Sequence, residues 1–113
     1  MKKISVLETE KFDITHKILK ALSDLESRHI LFSIINKAKS VHEIAKELKI
    51  PRSSAYKKIQ SLQENALISD ELAFTKNGRR TRLYQSRIID AKISIFKFEP
   101  IITFKKNLKN RYE

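Results

Sequence analysis

Apolar residues at Ile14, Ile18, Leu19 and Leu22 fall on one face of a helix, and Asp13 is a good residue to cap it. A first helix is expected over 13–22. After Asp24, a second capping residue, Leu25, Ile30, Leu31, Ile34 and Ile35 give a second apolar run, until polarity rises from Asn36 to Lys39. Ser40-Val41-His42-Glu43 then has the form of a capping box, in which the hydroxyl and the carboxylate each accept from the other residue's backbone amide. The third helix therefore starts at Val41 and turns Ile44, Ala45 and Leu48 inward. It must stop by Lys49-Ile50, because Pro51 disfavours helical geometry in the residue before it. Pro51 suits the first turn of a fourth helix, which runs to about residue 65 with Ala55, Ile59, Leu62 and Ala66 inward.

The period changes after Leu67-Ile68. Leu72-Ala73-Phe74-Thr75-Lys76 and Arg79-Arg80-Thr81-Arg82-Leu83-Tyr84 flank Asn77-Gly78, a dipeptide suited to a hairpin turn with positive φ at both residues. With a two-residue loop, Lys76 faces Arg79, Phe74 faces Thr81 and Leu72 faces Leu83. That register puts Leu72, Phe74 and Leu83 on a buried face and Arg80 and Arg82 on the open one. Beyond Asp90, the residues Ile93, Ile95, Phe96, Phe98, Ile101, Ile102 and Phe104 are β-branched or aromatic and predict two more strands. Their inward set switches between Ile95 and Phe96, which requires a bulge or a strand covered on both faces, and the second option implies a partner.

Composition narrows the partner. The 24 Lys+Arg against 13 Asp+Glu give a formal charge of +11 on 113 residues, a field that attracts polyanions, nucleic acid first among them. No uncharged apolar run approaches the ~20 residues of a membrane-crossing helix. Met1-Lys2-Lys3 is followed by Glu8 and Glu10 where a signal peptide needs an apolar stretch, so a cytoplasmic protein with no membrane partner is expected. The chain has no cysteine, which excludes disulfides and thiolate chemistry.

The three-helix core, short turn and basic hairpin together resemble the winged helix-turn-helix regulators, and within them the ArsR-like group. The residues that carry the resemblance are Lys20-Ala21-Leu22-Ser23-Asp24 with Ile30-Leu31, Ser40 through Leu48, Ile50 through Ile59, and Leu67-Ile68 ahead of the wing. The resemblance implies that the fourth helix enters the major groove of double-stranded DNA. The residues suit that role. Arg52 can pair with guanine O6 and N7, Ser53 and Ser54 with the first-turn amides can hold phosphate, and Tyr56, Lys57 and Lys58 follow one turn later. Lys76, Asn77, Gly78, Arg79, Arg80 and Arg82 form a basic wing able to lie on the backbone or in the minor groove. This chain departs from the family at three places. Lys49 stands where the turn often has glycine, Leu25 where a proline is usual, and the C-terminal segment reads as strand where the family generally ends in a dimerising helix that can carry metal ligands. The family's effector chemistry is therefore not carried over.

Other chemistry finds little support. His16, His29 and His42 fall on three different helices without ligand spacing, and no triad, phosphate-cradling glycine loop or carboxylate pair stands out. No metal, no cofactor and no catalytic activity are expected, and no pattern locates an effector pocket. The expected architecture is α+β, mainly helical with a small β-sheet: an N-terminal arm over 1–12, a winged helix-turn-helix over 13–88, C-terminal strands over 89–106 joining a homodimer, and a basic tail over 107–113. The expected function is sequence-specific binding of double-stranded DNA in transcription regulation. Two alternatives stay open: a winged-helix module for a protein partner, and a sequence-independent chromatin or RNA binder.

Overall fold

The computed structural model describes the backbone of residues 6–110 and the side chains of residues 14–110. Four helices come first, α1 (Val6–Ser23), α2 (Leu25–Ser33), α3 (Val41–Leu48) and α4 (Arg52–Glu64). Two hairpins follow, β1 (Ile68–Phe74) with β2 (Arg80–Ser86), and β3 (Ile88–Phe96) with β4 (Glu99–Lys106). The chain is helical from Val6, so Asp13 lies inside α1 rather than at its cap, and helix occupies residues 6–12 of the expected arm.

Local chemistry sets the boundaries of the next helices. Asp24 caps α2, its carboxylate accepting from the Ser27 amide at 2.9 Å and the Ser27 hydroxyl at 2.8 Å. The capping box at α3 is complete, with both the Ser40 and Glu43 bonds at 3.2 Å. Lys49 ends α3 at φ 57, in the left-handed conformation that glycine takes most readily. Pro51 stands at the cap of α4 rather than in its first turn. Ala66, expected inward, is exposed at φ 59 just beyond α4. There the Leu67 amide donates back to Leu62 and the Ala66 amide to Gln63, so the last carbonyls of the helix are satisfied at the expense of turning Ala66 outward.

The core lies where α1, α2, α3, α4 and the root of the first hairpin converge. Ile30, Ile34, Ile44, Ile59 and Leu62 are fully buried, with Leu22, Leu31, Leu67, Ile68 and Tyr84 packed around them. Tyr84 also exchanges backbone hydrogen bonds with Lys39 at 2.8 and 3.0 Å, tying the α2–α3 connection to β2.

The register of the wing differs from expectation by one residue. The Gly78 amide donates to the Thr75 carbonyl and the Thr75 amide to the Arg79 carbonyl, both at 2.9 Å, so the loop has three residues. Gly78 takes φ 77 and Asn77 does not turn left-handed. This is the other hairpin geometry that accepts glycine at a left-handed position, a turn followed by a bulge. Phe74 therefore pairs with Arg80 and Leu72 with Arg82, on the same face as Tyr84 and Ile68. The face is buried only at its root. Leu72 is 50% and Phe74 65% exposed, and Leu83 is half-buried on the other side.

The second hairpin turns away at Arg87. Its loop is Lys97-Phe98, both with positive φ, and its bulge sits at the base between Ile88 and Asp90 rather than at Ile95–Phe96. The irregularity is thus displaced by several residues: past the base the strands alternate regularly, with Ile95 and Phe96 on opposite faces. The radius of gyration is 16.0 Å, against about 13 Å for a compact chain of this length, and the long axis is 60 Å. The residues expected as a basic tail return to the body as far as 110. Asn107 is buried and donates to the Ile35 and Ser86 carbonyls at 2.8 Å, and Asn110, also buried, donates to Ser69 Oγ at 2.8 Å.

Candidate nucleic-acid interface

The face of α4 opposite its buried residues Ala55, Ile59 and Leu62 carries Ser53, Lys57 and Gln60, all exposed. Arg52 and Tyr56 stand on the flank toward α3 and the first hairpin. The Arg52 guanidinium donates to His42 Nδ1 of α3, and the Tyr56 hydroxyl accepts from Gln60 Nε2 at 3.2 Å. Ser54 is half-buried beside the first turn. Pro51 supplies no side-chain acceptor, so the amides of that turn have no side-chain cap.

Lys58 does not join this surface. Its ammonium lies 2.8 Å from Asp24 Oδ2 and 3.6 Å from Glu26 Oε1, on the flank of α4 packed toward α2. Its hydrogen bond to Asp24 raises the Lys58 pKa, against a smaller desolvation effect. The same bond, followed by those from the Ser27 hydroxyl and amide, lowers the Asp24 carboxyl to about 2. Sequence position alone put Lys58 among the groove-facing cations, and the partner 34 residues earlier explains its different role.

In the wing, Lys76, Asn77, Gly78 and Arg79 surround an exposed tip. Arg80 follows on the face shared with Leu72, Phe74 and Tyr84. Arg82 lies on that face too, but its guanidinium is paired with Asp70 at 2.6 Å. Burial pushes the Tyr84 phenol up, and nearby Asp70 and Tyr56 act in the same direction while Arg82 opposes them. Tyr56, Asp70, Arg82 and Tyr84 are thus electrostatic neighbours where α4 meets the wing. Lys76, Arg79 and Arg80 have no ion pair among the described residues.

The structure also brings up residues that the sequence reading did not select. Lys17 and Lys20 of α1 line a groove of about 510 Å³ together with Lys57 and Lys58 of α4, with Asp24 and Glu64 also on its walls. Gln60 extends the outer face of α4, and His42 holds Arg52. The period of α4 could have identified Gln60, whereas the approach of α1 depends on packing that no local pattern records. Among the described residues no group of three His, Cys, Asp or Glu could hold a metal ion, and no helix is long and apolar enough to cross a membrane.

No family model and no curated protein matches the sequence. The crystal structure of NolR from Sinorhizobium fredii is similar to this chain in fold, with a TM-score of 0.61 over 76% of this chain and 81% of NolR, at 21% sequence identity. That likeness, with four helices and two small antiparallel hairpins, gives this chain a winged-helix fold of the α+β class.

Proposed function

We propose that the chain is a transcription regulator that binds double-stranded DNA sequence-specifically as a homodimer, with α4 in the major groove and the first hairpin on the adjacent backbone or minor groove. The carrying observation is one arrangement: the outer face of α4, with Ser53, Lys57 and Gln60, stands beside a wing whose Lys76, Arg79 and Arg80 have no ion pair among the described residues, on a chain of charge +11. NolR, similar in fold, is a winged-helix transcription regulator, which supports the same reading. Arg52 reads guanine once it releases His42, and Gln60 offers the donor and acceptor that adenine requires. The uncapped first turn and Ser53 hold phosphate. Lys57 and the wing cations supply the counterion-release share of affinity, and Lys17 and Lys20 extend it along α1.

Selection of bound sequences from a random duplex library tests this. A palindromic motif with half-sites about one helical turn apart is the expected result. Equal affinity for every duplex, or for structured RNA, would replace it with a sequence-independent binder.

A further inference from the structure

The second hairpin has two unequal edges. Its two-residue loop makes Phe96 and Glu99 a hydrogen-bonded pair, so by alternation the backbone groups of Ile95 and Pro100 point away from the ladder. Proline at position 100 fits this, since the outward amide is the one a ladder can lose. It also closes the outer edge of β4, a strand that is in contact with α1. The edge of β3 has no such guard. From Ala91 to Phe96 it holds no proline and no bulge, and its outward backbone groups belong to Ala91, Ile93 and Ile95.

We propose that two copies of this chain join through this edge, β3 against β3 in antiparallel register about Ile93, forming one four-stranded sheet. This deepens the homodimer reading above by naming its surface. A second copy is the fitting occupant because an antiparallel pair of identical strands is self-complementary around a two-fold axis. The regular stretch from Asp90 to Phe96 is symmetric about Ile93, and charge is compatible with that register. Centring on Lys92 would set that cation against itself, whereas centring on Ile93 sets Lys92 opposite Ser94 and Ala91 opposite Ile95. Two bodies of charge +11 thus meet along a row with no opposed like charges.

The same register accounts for the apolar surface nearby. It brings Phe96 of one copy opposite Asp90 of the other and carries the tip residue Phe98, 96% exposed, to the level of Ile88. At that level an apolar groove of about 280 Å³ runs between α2 and β3, lined by Leu31, Phe32, Ile35, Ile89 and Ile93. Phe32 on its rim is 79% exposed. Edge pairing of short strands covers less than the ~800 Å² per partner of a standard interface. The exchange of two tips into two grooves supplies further area.

Sedimentation of the DNA-free chain, with cysteine variants in a sequence that has none of its own, tests the proposal. The unmodified chain should sediment as a dimer at about 10 μM, and Ile93→Cys should form a disulfide-linked dimer under mild oxidation, because Cα atoms of a hydrogen-bonded pair lie ~5.5 Å apart, within disulfide reach. Lys92→Cys, diagonal to its own copy, should cross-link at least tenfold more slowly. Ile95→Pro should leave the circular dichroism unchanged and give a monomer, since the amide it removes points out of the ladder. A dimer in which Ile93→Cys fails to cross-link overturns the β3 edge and leaves the homodimer standing. A chain that stays monomeric at 10 μM overturns both, and a mass above dimer overturns the closed pair.

Discussion

The Lys58 ammonium sits 2.8 Å from the Asp24 carboxylate that caps α2, so a cation of α4 serves to hold α2 in place. Lys58→Ala should therefore lower stability by about 0.5 kcal/mol, the scale of a partly exposed ion pair. Asp24→Ala, which removes the cap as well, should cost about 1–2 kcal/mol. Denaturant midpoints check both. DNA affinity and its salt slope should remain at the parent values for Lys58→Ala, in contrast to the neighbouring Lys57→Ala.

The same pair fixes the direction of an acid effect. The Asp24 carboxyl is lowered to about 2 in the folded chain from 3.8, so its contribution is complete above about pH 4 and is lost as the pH falls toward 2. Lys58 is raised, so its share persists through neutral pH and fades only above its ordinary range, as the solution becomes strongly alkaline. The stability difference between the parent chain and Asp24→Ala should be constant from pH 5 to 7 and shrink from about pH 4 to 2. A difference that stays flat across that acid range would separate the cap from the titration.

Asn107 is 1% exposed and donates to two carbonyls, Ile35 at the end of the α2 region and Ser86 where β2 gives way to the second hairpin. Its removal leaves both acceptors buried with one bond fewer, so Asn107→Ala should cost about 1–3 kcal/mol. Hydrogen exchange should show the loss first in β3 and β4, whose return to the body this side chain secures. Asn107→Asp should be worse than alanine, since it presents a carboxylate to two carbonyls.

What the sequence disclosed and what it concealed follow from the range of the interactions. The capping box at Ser40 and Glu43 and the cap at Asp24 act over three residues, and both are visible as local patterns. The wing was visible as a hairpin but not in register, because glycine in a left-handed position serves both a two-residue turn and the three-residue loop that Thr75 closes. The pairings of Lys58 with Asp24, Arg82 with Asp70 and Asn107 with Ile35 span 34, 12 and 72 positions. Nothing local distinguishes Lys58 from Lys57 before those partners are known. For the same reason Lys17 and Lys20 belonged to an ordinary amphipathic helix until α1 was seen beside α4.

Ala66 shows how a chain with one glycine ends its helices. Its φ of 59 satisfies the last turn of α4 but sets its Cβ against the backbone, a cost of about 1–2 kcal/mol. Ala66→Gly relieves that and adds some freedom to the unfolded chain, for a net gain of about 0.5–1 kcal/mol. Thermal unfolding should register a rise of a few degrees, with DNA affinity unchanged because the residue lies at the far end of α4 from Arg52.

The cations of the interface should divide by what already holds them. Lys57 and Arg80 have no ion pair among the described residues, so each is free to displace a counterion from a phosphate, and alanine at either should weaken binding to every duplex and reduce the salt slope by about one. Arg82 begins paired to Asp70 at 2.6 Å, so Arg82→Ala should change the slope by less than Arg80→Ala. Asp70→Asn releases Arg82 and removes a negative charge from the same face, and should therefore tighten binding to all sequences alike. Arg52→Ala differs in kind: its loss should cost about 1–3 kcal/mol on the preferred sequence and relax selectivity at one base pair, since a bidentate guanine contact carries sequence information and a phosphate contact does not. Titrations of the five variants against preferred and random duplex, at two salt concentrations, separate these outcomes. An Arg52→Ala chain that weakens equally on both duplexes would move Arg52 from base reading to backbone positioning.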